Sequence, residues 1–145
     1  MRFREGFRAA RKDVLMMTPG TYLKLRRVAA GLTIMDVAAM VSTNPRYGEI
    51  DKVAWIDRIE RDIAALSPDV IATLSDAFRF SRQVLLKLIT LRSYGPDAGE
   101  EPRICHLCGC TDLDACRDEQ AQRNCAWSGA DSCTACTEKD LPHAA

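Results

Sequence analysis

Apolar residues recur at three- and four-residue steps along residues 18–93, which predicts a series of short amphipathic helices. Val53, Ile56, Ile59 and Ile63 form one such stripe and predict a helix from roughly Asp51 to Ala65. The other predicted apolar faces are Tyr22, Leu25 and Ala29 in the first helix, Val70, Leu74 and Phe78 in the fourth, and Val84, Leu85, Leu88, Ile89 and Leu91 in the fifth. No alternating pattern predicts strands, so the predicted fold class is all-α with five helices.

Capping residues mark where these helices begin and end. Thr18, Ser67 and Ser81 each precede a helical segment, and the first two are followed directly by proline, which suits the first helical position. Thr33-Ile34-Met35-Asp36 resembles a capping box and opens a second helix that runs to about Met40. Gly31 suits a left-handed end of the first helix. The fifth helix is expected to end near Ser93.

Charge divides the chain in two although the net charge is zero. Residues 1–95 carry 16 Lys and Arg against 10 Asp and Glu, whereas residues 96–145 carry 4 against 10. The basic half could face a polyanion such as nucleic acid, and the alternative is an ordinary solvated surface of mixed charge. The predicted organisation is a basic N-terminal arm (1–17), a helical domain (18–93), a linker rich in Gly, Pro and acidic residues (94–103), a cysteine-rich module (104–137) and a tail (138–145).

All seven cysteines lie between positions 105 and 136. Cys105 and Cys108 form one Cys-x-x-Cys pair, and Cys133 and Cys136 form another, which is the ligand pattern of a tetrahedral structural zinc site. Gly109 follows the first pair, where a knuckle turn favours positive φ. A segment this short has too small a core to fold alone, so we expect metal binding to supply much of its folding energy.

Three cysteines remain, namely Cys110, Cys116 and Cys125. They could complete a second zinc site by sharing a bridging thiolate, or together with His106, His143 or an aspartate. They could instead hold an iron–sulfur cluster or pack as small buried hydrophobes. Stable disulfides are disfavoured because the count is odd and the N-terminus has no secretory pattern, which predicts a cytoplasmic protein.

One segment of the helical domain resembles a known family. "LRRVAAGLTIMDVA" (25–38) and "DRIER" (57–61) are similar to the helix-turn-helix domain of phage repressors, over about residues 18–93. That resemblance implies a five-helix bundle whose third helix lies in the DNA major groove. The sequence departs from the family pattern by an insert of about eight residues before "RIE", and by apolar Ile34 and Val53-Ala54-Trp55 where polar residues are usual.

If the helical domain binds double-stranded DNA, six residues are candidates for contact with it. Arg46 and Lys52 in the insert are the first candidates, Trp55 and Arg58 the next, and Arg26 and Arg27 are candidates for backbone contacts. The alternative is that Trp55 packs in the core and the arginines only solvate the bundle.

The cysteine-rich module has a resemblance of its own. "CHLCGCTDLDAC", "CAW" and "SCTAC" are similar to a C-terminal segment of small proteins from phages, prophages and alphaproteobacteria, with Ser132 where leucine is usual. The resemblance implies a phage-associated or regulatory setting without an established activity. We interpret Trp127 as the hydrophobic plug of this module.

Together these patterns favour a DNA-binding transcriptional regulator with a structural zinc module for self-association or contact with a partner protein. One alternative is a protein-interaction adaptor with a degenerate helix-turn-helix fold, and another is a redox or metal sensor that uses the extra cysteines. We expect no enzymatic activity, because the sequence offers no phosphate loop and no nucleophile with a base. We also expect no membrane span, because charged residues interrupt every apolar run.

Overall fold

The computed structural model describes residues 17–43, 46–118, 123–129 and 132–136. Its five α-helices are α1 (Pro19–Ala29), α2 (Ile34–Met40), α3 (Glu49–Glu60), α4 (Pro68–Ala77) and α5 (Arg82–Tyr94). A short 3-10 turn at Pro96–Ala98 follows, and the cysteine-rich module contains two antiparallel two-residue strands, β1 (Arg117–Asp118) and β2 (Arg123–Asn124). The described chain is therefore predominantly helical, as predicted. The predicted arm lies outside the described residues apart from Met17, and the tail lies outside them entirely.

The helix starts are set by local hydrogen bonds that the sequence predicted. The side-chain oxygens of Thr18, Ser67 and Ser81 each accept a hydrogen bond from the backbone N–H three residues later. Thr33 and Asp36 form a reciprocal capping box at the start of α2. These bonds satisfy backbone donors that have no partner inside the helix, so these four helices begin at their caps. The remaining helix, α3, follows Gly48 without a side-chain cap.

The end of α3 differs from the prediction. This helix ends at Glu60, not near Ala65, because Asp62 adopts a left-handed backbone conformation with φ of 63°. The carboxylate of Asp62 accepts a hydrogen bond of 2.7 Å from the backbone N–H of Gly20, which fixes the turn against α1. Ile63 was predicted to be the last buried residue of the stripe, and this is wrong, since it is 67% exposed.

The buried face of α1 also differs from the predicted one. Tyr22 is fully buried as expected, but Ala29 is exposed and Leu25 is only half-buried. Instead, Leu23, Arg26 and Arg27 are buried beside Tyr22. This helix therefore directs two cations inward, and their partners are described with the site below.

The hydrophobic core lies between α1, α3, α4 and α5, with α2 packed against α3 and α4. Ile56, Leu74 and Leu85 are among its buried members, and the rings of Phe78 and Phe80 are 5.6 Å apart beneath α5. Residues from four of the predicted stripes thus meet in one cluster. The burial of these side chains is the main favourable term in the stability of the bundle.

The cysteine-rich module is joined directly to this core. Ile104, its first residue, is buried in the same hydrophobic cluster as the helices. α5 ends at Tyr94, the first residue of the predicted linker (94–103), and Gly95 follows it with φ of 96°. The segment after it returns to the bundle, so the module packs on α1 and does not hang from a free tether.

Among the described residues, no helix has the length and apolar character needed to cross a membrane.

Gly20 on α1 lies in close contact with the backbone at the end of α3. A Cβ added there would lie 2.5 Å from the carbonyl oxygen of Ile59 and 2.6 Å from that of Glu60, so backbone would have to move.

We expect Gly20→Ala to destabilise the protein by about 2–3 kcal/mol, as overpacking does in other cores. Thermal unfolding measures this, with Gly48→Ala as the control. Nothing lies within 4 Å of a Cβ at Gly48, so this variant should lose no more than about 1 kcal/mol. Equal losses in the two variants would contradict the close packing of α1 on α3.

Candidate metal centre

The first cysteine pair forms a tight turn. The backbone N–H of Gly109 donates to the carbonyl of Cys105 at 2.8 Å, and the N–H of Cys105 donates to the carbonyl of Cys110 at 2.9 Å. Gly109 has φ of 78°, which confirms the positive φ predicted from its position after the knuckle. The turn places the thiols of Cys105 and Cys108 on the same side of the chain, facing the second pair.

The second cysteine pair is held by a separate set of backbone contacts. Trp127 and Cys133 form an antiparallel β-bridge, and the N–H of Thr134 donates to the carbonyl of Ala126 at 2.8 Å. The hydroxyl of Thr134 accepts in return from the N–H of Ala126 at 3.1 Å. Cys133 is therefore fixed against the segment that precedes it, and Cys136 follows three residues later.

The four predicted ligands come together as the sequence indicated. The Sγ atoms of Cys105, Cys108, Cys133 and Cys136 all lie within 4.8 Å of one another. With metal–sulfur bonds of about 2.3 Å, the sulfur atoms of a tetrahedral zinc site lie about 3.8 Å apart. In this structure the Sγ atoms of Cys108 and Cys133 are 3.8 Å apart. All seven cysteines lie in the described part of the chain as thiols without disulfides, so this group can hold a metal ion.

A second group of four thiols overlaps the first. Its members are Cys108, Cys110, Cys116 and Cys133, again with all Sγ atoms within 4.8 Å. The Sγ atoms of Cys108 and Cys116 are 3.5 Å apart. Cys125 belongs to neither group, although its Sγ lies 3.8 Å from that of Cys110. His106 is exposed and belongs to neither group, and His143 lies outside the described residues.

Electrostatics within the cluster favour thiolate at particular sulfurs. Burial acts to raise the pKa of Cys105, but hydrogen bonds from the backbone N–H groups of Cys108, Leu107 and Cys133 lower it to about 7. Hydrogen bonds from Cys108 and Cys110 lower the pKa of Cys116, and the positive charge of Arg26 lowers it further. A thiolate is the form that binds metal. Backbone N–H groups favour this form at Cys105, and the neighbouring thiols together with Arg26 favour it at Cys116.

A buried polar network ties the module to α1. The side chain of Asp114 is buried and forms a salt bridge with Arg26 at 3.5 Å. Asp114 also accepts hydrogen bonds from the hydroxyl of Tyr22 at 3.1 Å and from the backbone N–H and the hydroxyl of Thr111. Arg26 donates in addition to the carbonyl of Cys108 at 3.3 Å, so one guanidinium contacts both the carboxylate and the first cysteine knuckle.

Tyr22 completes this network on the side of α5. Its hydroxyl accepts a hydrogen bond of 2.8 Å from the backbone N–H of Ser81, the residue that caps α5. Burial raises the pKa of Tyr22 well above its usual value, so the side chain stays neutral and donates its proton to Asp114. Asp114 and Tyr22 were not among the predicted site residues. The spacing Thr111-x-x-Asp114, which has the form of a capping box, was the one local signal for Asp114.

Trp127 packs over the cysteine cluster, in the place predicted for it. It is half-buried against the cluster, and its indole N–H donates to the carboxylate of Asp112 at 2.7 Å. The guanidinium of Arg103 lies 4.2 Å from the ring centroid, within the range of a cation–π interaction.

Comparisons of the chain with known protein families, with curated proteins and with solved structures gave no match.

Two predicted DNA-backbone contacts are in fact interior residues. Arg26 lies in the network described above. Arg27 donates to both carboxylate oxygens of Glu60, at 2.8 and 2.9 Å, and to the carbonyl of Leu32 at 2.7 Å. Both arginines are only 7% exposed, so neither guanidinium can reach a phosphate in this structure. The prediction that Arg26 and Arg27 contact the DNA backbone is therefore replaced by a role in internal contacts.

The four remaining DNA candidates are placed differently from one another. Arg46, before α3, and Arg58, on α3, are exposed. Lys52 is largely buried, with Nζ 2.9 Å from the carbonyl of Val41, and this contact leaves it unsuited to bind a phosphate. Trp55 is half-buried, packs partly against the core and stands edge-on to Tyr47 at 6.4 Å, which is the alternative that the sequence left open.

Removal of the hydroxyl oxygen of Tyr22 tests the contribution of the buried polar network to stability. Tyr22→Phe leaves the N–H of Ser81 without its acceptor and removes one of the donors to Asp114, so we expect a loss of about 1–3 kcal/mol. Thermal unfolding measures this loss. Tyr94→Phe is the matched control, because Tyr94 is 81% exposed and should change the stability by less than about 0.5 kcal/mol. A Tyr22→Phe variant as stable as the control would contradict the network.

Metal removal should destabilise the whole described fold, because the module shares Ile104 and Arg26 with the helices. We expect a strong chelator to lower Tm by more than about 10 °C, since structural metal supplies folding energy directly. Cys136→Ser should show a similarly low Tm and little further response to chelator. An unchanged Tm in the chelated wild-type protein would count against a structural metal.

Proposed function

We propose that this protein is a DNA-binding transcriptional regulator of the phage or prophage type, in which a zinc ion stabilises a module attached to a repressor-like helical domain. The module would serve self-association or contact with a partner protein. The observation that carries the proposal is the helix pair α2 and α3, which pack on each other while α3 keeps one face open to solvent. A helix-turn-helix domain requires this arrangement of its second and third helices.

Zinc is the metal that fits the donor set best. The first group of thiols offers four sulfurs and no oxygen ligand, and it leaves no open coordination position for catalysis. Soft thiolate ligands favour zinc over magnesium, calcium or manganese. A closed site of this kind supports a structural role for the metal.

The open face of α3 offers a small contact surface for DNA. Ile50, Ala54 and Arg58 follow one another at four-residue steps and are exposed, and Arg46 precedes them on the connector. The two arginines can bind phosphates or guanine, and the apolar pair can contact the methyl group of thymine. This set replaces the larger one predicted from the sequence, because Arg26, Arg27 and Lys52 are held by internal contacts. Trp55 is omitted because it packs partly against the core.

Charge reversal tests the DNA proposal. The double variant Arg46→Glu, Arg58→Glu should bind a duplex at least about tenfold more weakly at low salt, and its salt dependence should fall by about two units in the slope of log K against log salt. Fluorescence anisotropy with genomic fragments measures both quantities. Arg92→Glu, on the exposed end of α5, is the matched control and should bind nearly as the wild-type protein does. Wild-type protein that shows no salt-sensitive binding would refute the proposal.

A protein-interaction adaptor is the second candidate, and two observations favour it. The first turn of α3 carries Glu49 and Asp51, which repel the phosphates that this end of the helix would approach. Large apolar side chains are exposed around it, with Met35 at 72% and Ile50 at 85%. The adaptor is favoured if the regulatory effect of the protein persists in the variant Arg46→Glu, Arg58→Glu but is lost in Ile50→Asp.

A further inference from the structure

The two groups of thiols share two members, and this sharing sets the shape of the cluster. Cys108 and Cys133 belong to both groups. Cys105 and Cys136 complete the first group, and Cys110 and Cys116 complete the second. Two tetrahedral sites that hold these two sets of sulfurs would share the edge between Cys108 and Cys133. The length of that edge, 3.8 Å between Cys108 and Cys133, equals the sulfur–sulfur separation of about 3.8 Å in a zinc tetrahedron.

We propose that the module holds two zinc ions in one binuclear centre, bridged by the thiolates of Cys108 and Cys133. One ion takes Cys105 and Cys136 as its remaining ligands, and the other takes Cys110 and Cys116. Each ligating thiol releases its proton to solvent when the metal binds. The second ion is thus assigned Cys110 and Cys116 but not Cys125, whose Sγ approaches that of Cys110 but lies outside both groups.

The surroundings of the second group suit a cluster with excess negative charge. Six thiolates and two Zn²⁺ ions carry a net charge of about −2, which burial makes costly unless cations or hydrogen-bond donors compensate it. The guanidinium of Arg26 lies beside this cluster, donates to the carbonyl of Cys108 at 3.3 Å and acts electrostatically on Cys116. It also pairs with Asp114 at 3.5 Å, so it compensates only part of the charge of the cluster. Backbone N–H groups of Cys108, Leu107 and Cys133 hydrogen-bond to Cys105 and provide further compensation.

The shared edge also favours zinc over an iron–sulfur cluster. In iron–sulfur clusters, inorganic sulfide bridges the metals, and the cysteine sulfurs bind at the periphery. Here the sulfurs of Cys108 and Cys133 occupy the position between the two four-thiol groups, where a bridging sulfide would have to lie. A pair of zinc ions needs no further bridging atom.

Metal stoichiometry of the full-length chain tests the proposal directly. Protein reconstituted with Zn²⁺ without oxygen should bind two ions per chain in native mass spectrometry, and added Zn²⁺ should not raise this number. A single ion per chain at saturating Zn²⁺ would overturn the binuclear centre, as would acid-labile sulfide in protein purified without oxygen. Neither result depends on DNA binding, so the proposal for the helical domain is tested separately.

Bridging has a spectroscopic signature of its own. Protein loaded with two equivalents of ¹¹³Cd²⁺ should give two ¹¹³Cd resonances that are coupled to each other through the shared thiolates. Two resonances without mutual coupling would show separate sites and overturn the bridged geometry.

Two serine variants test the ligand assignment. Cys116→Ser should lower the stoichiometry from two ions to one, because it removes a ligand of the second ion only. Cys125→Ser is the matched control in the same segment and should still bind two ions. Retention of two ions in Cys116→Ser together with loss of one in Cys125→Ser would overturn the assignment. Circular dichroism of the helices in each variant separates loss of a ligand from loss of the fold.

Discussion

The buried contact between Arg26 and Asp114 is the interaction on which the arrangement of the molecule depends. Two charged groups leave water here, and a buried charge is tolerated when it is paired and its remaining hydrogen-bonding atoms are satisfied. Asp114 meets this condition through Tyr22 and Thr111, and Arg26 through the carbonyls of Cys108 and Arg79. The network therefore fixes the cysteine-rich module on α1 in one orientation, which apolar contact through Ile104 alone would leave less defined.

Much of the fold could be predicted because its determinants are local. The capping box of Thr33 and Asp36 consists of hydrogen bonds between residues three positions apart. The positive φ of Gly31 and Gly109 could be predicted from the positions of these glycines, at the end of a helix and after a cysteine pair. Arg26 and Arg27 could not be placed in this way, because their partners Asp114 and Glu60 are 88 and 33 positions away. One local signal was present, namely that each arginine lies four residues after a buried apolar residue of α1. An arginine on such a face packs its stem inward and needs a partner for its charge.

Seven cysteines do not divide into separate metal sites of four cysteines each. Seven cysteines complete one such site and leave three, and this remainder kept a second metal, an iron–sulfur cluster and simple packing open. The structure places two of the three, Cys110 and Cys116, against Cys108 and Cys133. Sequence spacing could not show this, because a shared thiolate depends on how the two knuckles meet in space and not on the residues between them.

Arg26 and Arg27, which are adjacent on α1, connect the cysteine-rich module with α3. Arg26 contacts the carbonyl of Cys108, while Arg27 binds both carboxylate oxygens of Glu60 at the end of α3. The close approach of Gly20 to Ile59 and its hydrogen bond to Asp62 hold the two helices together at the other end of α1. Unfolding of the cysteine-rich module would remove the partners of the buried Arg26 on α1. We therefore expect it to destabilise α1 and the contact of α1 with α3. The position of α3, and any surface that it presents to DNA or protein, is therefore stabilised by a cysteine-rich module that can hold a metal ion and need not touch the bound partner.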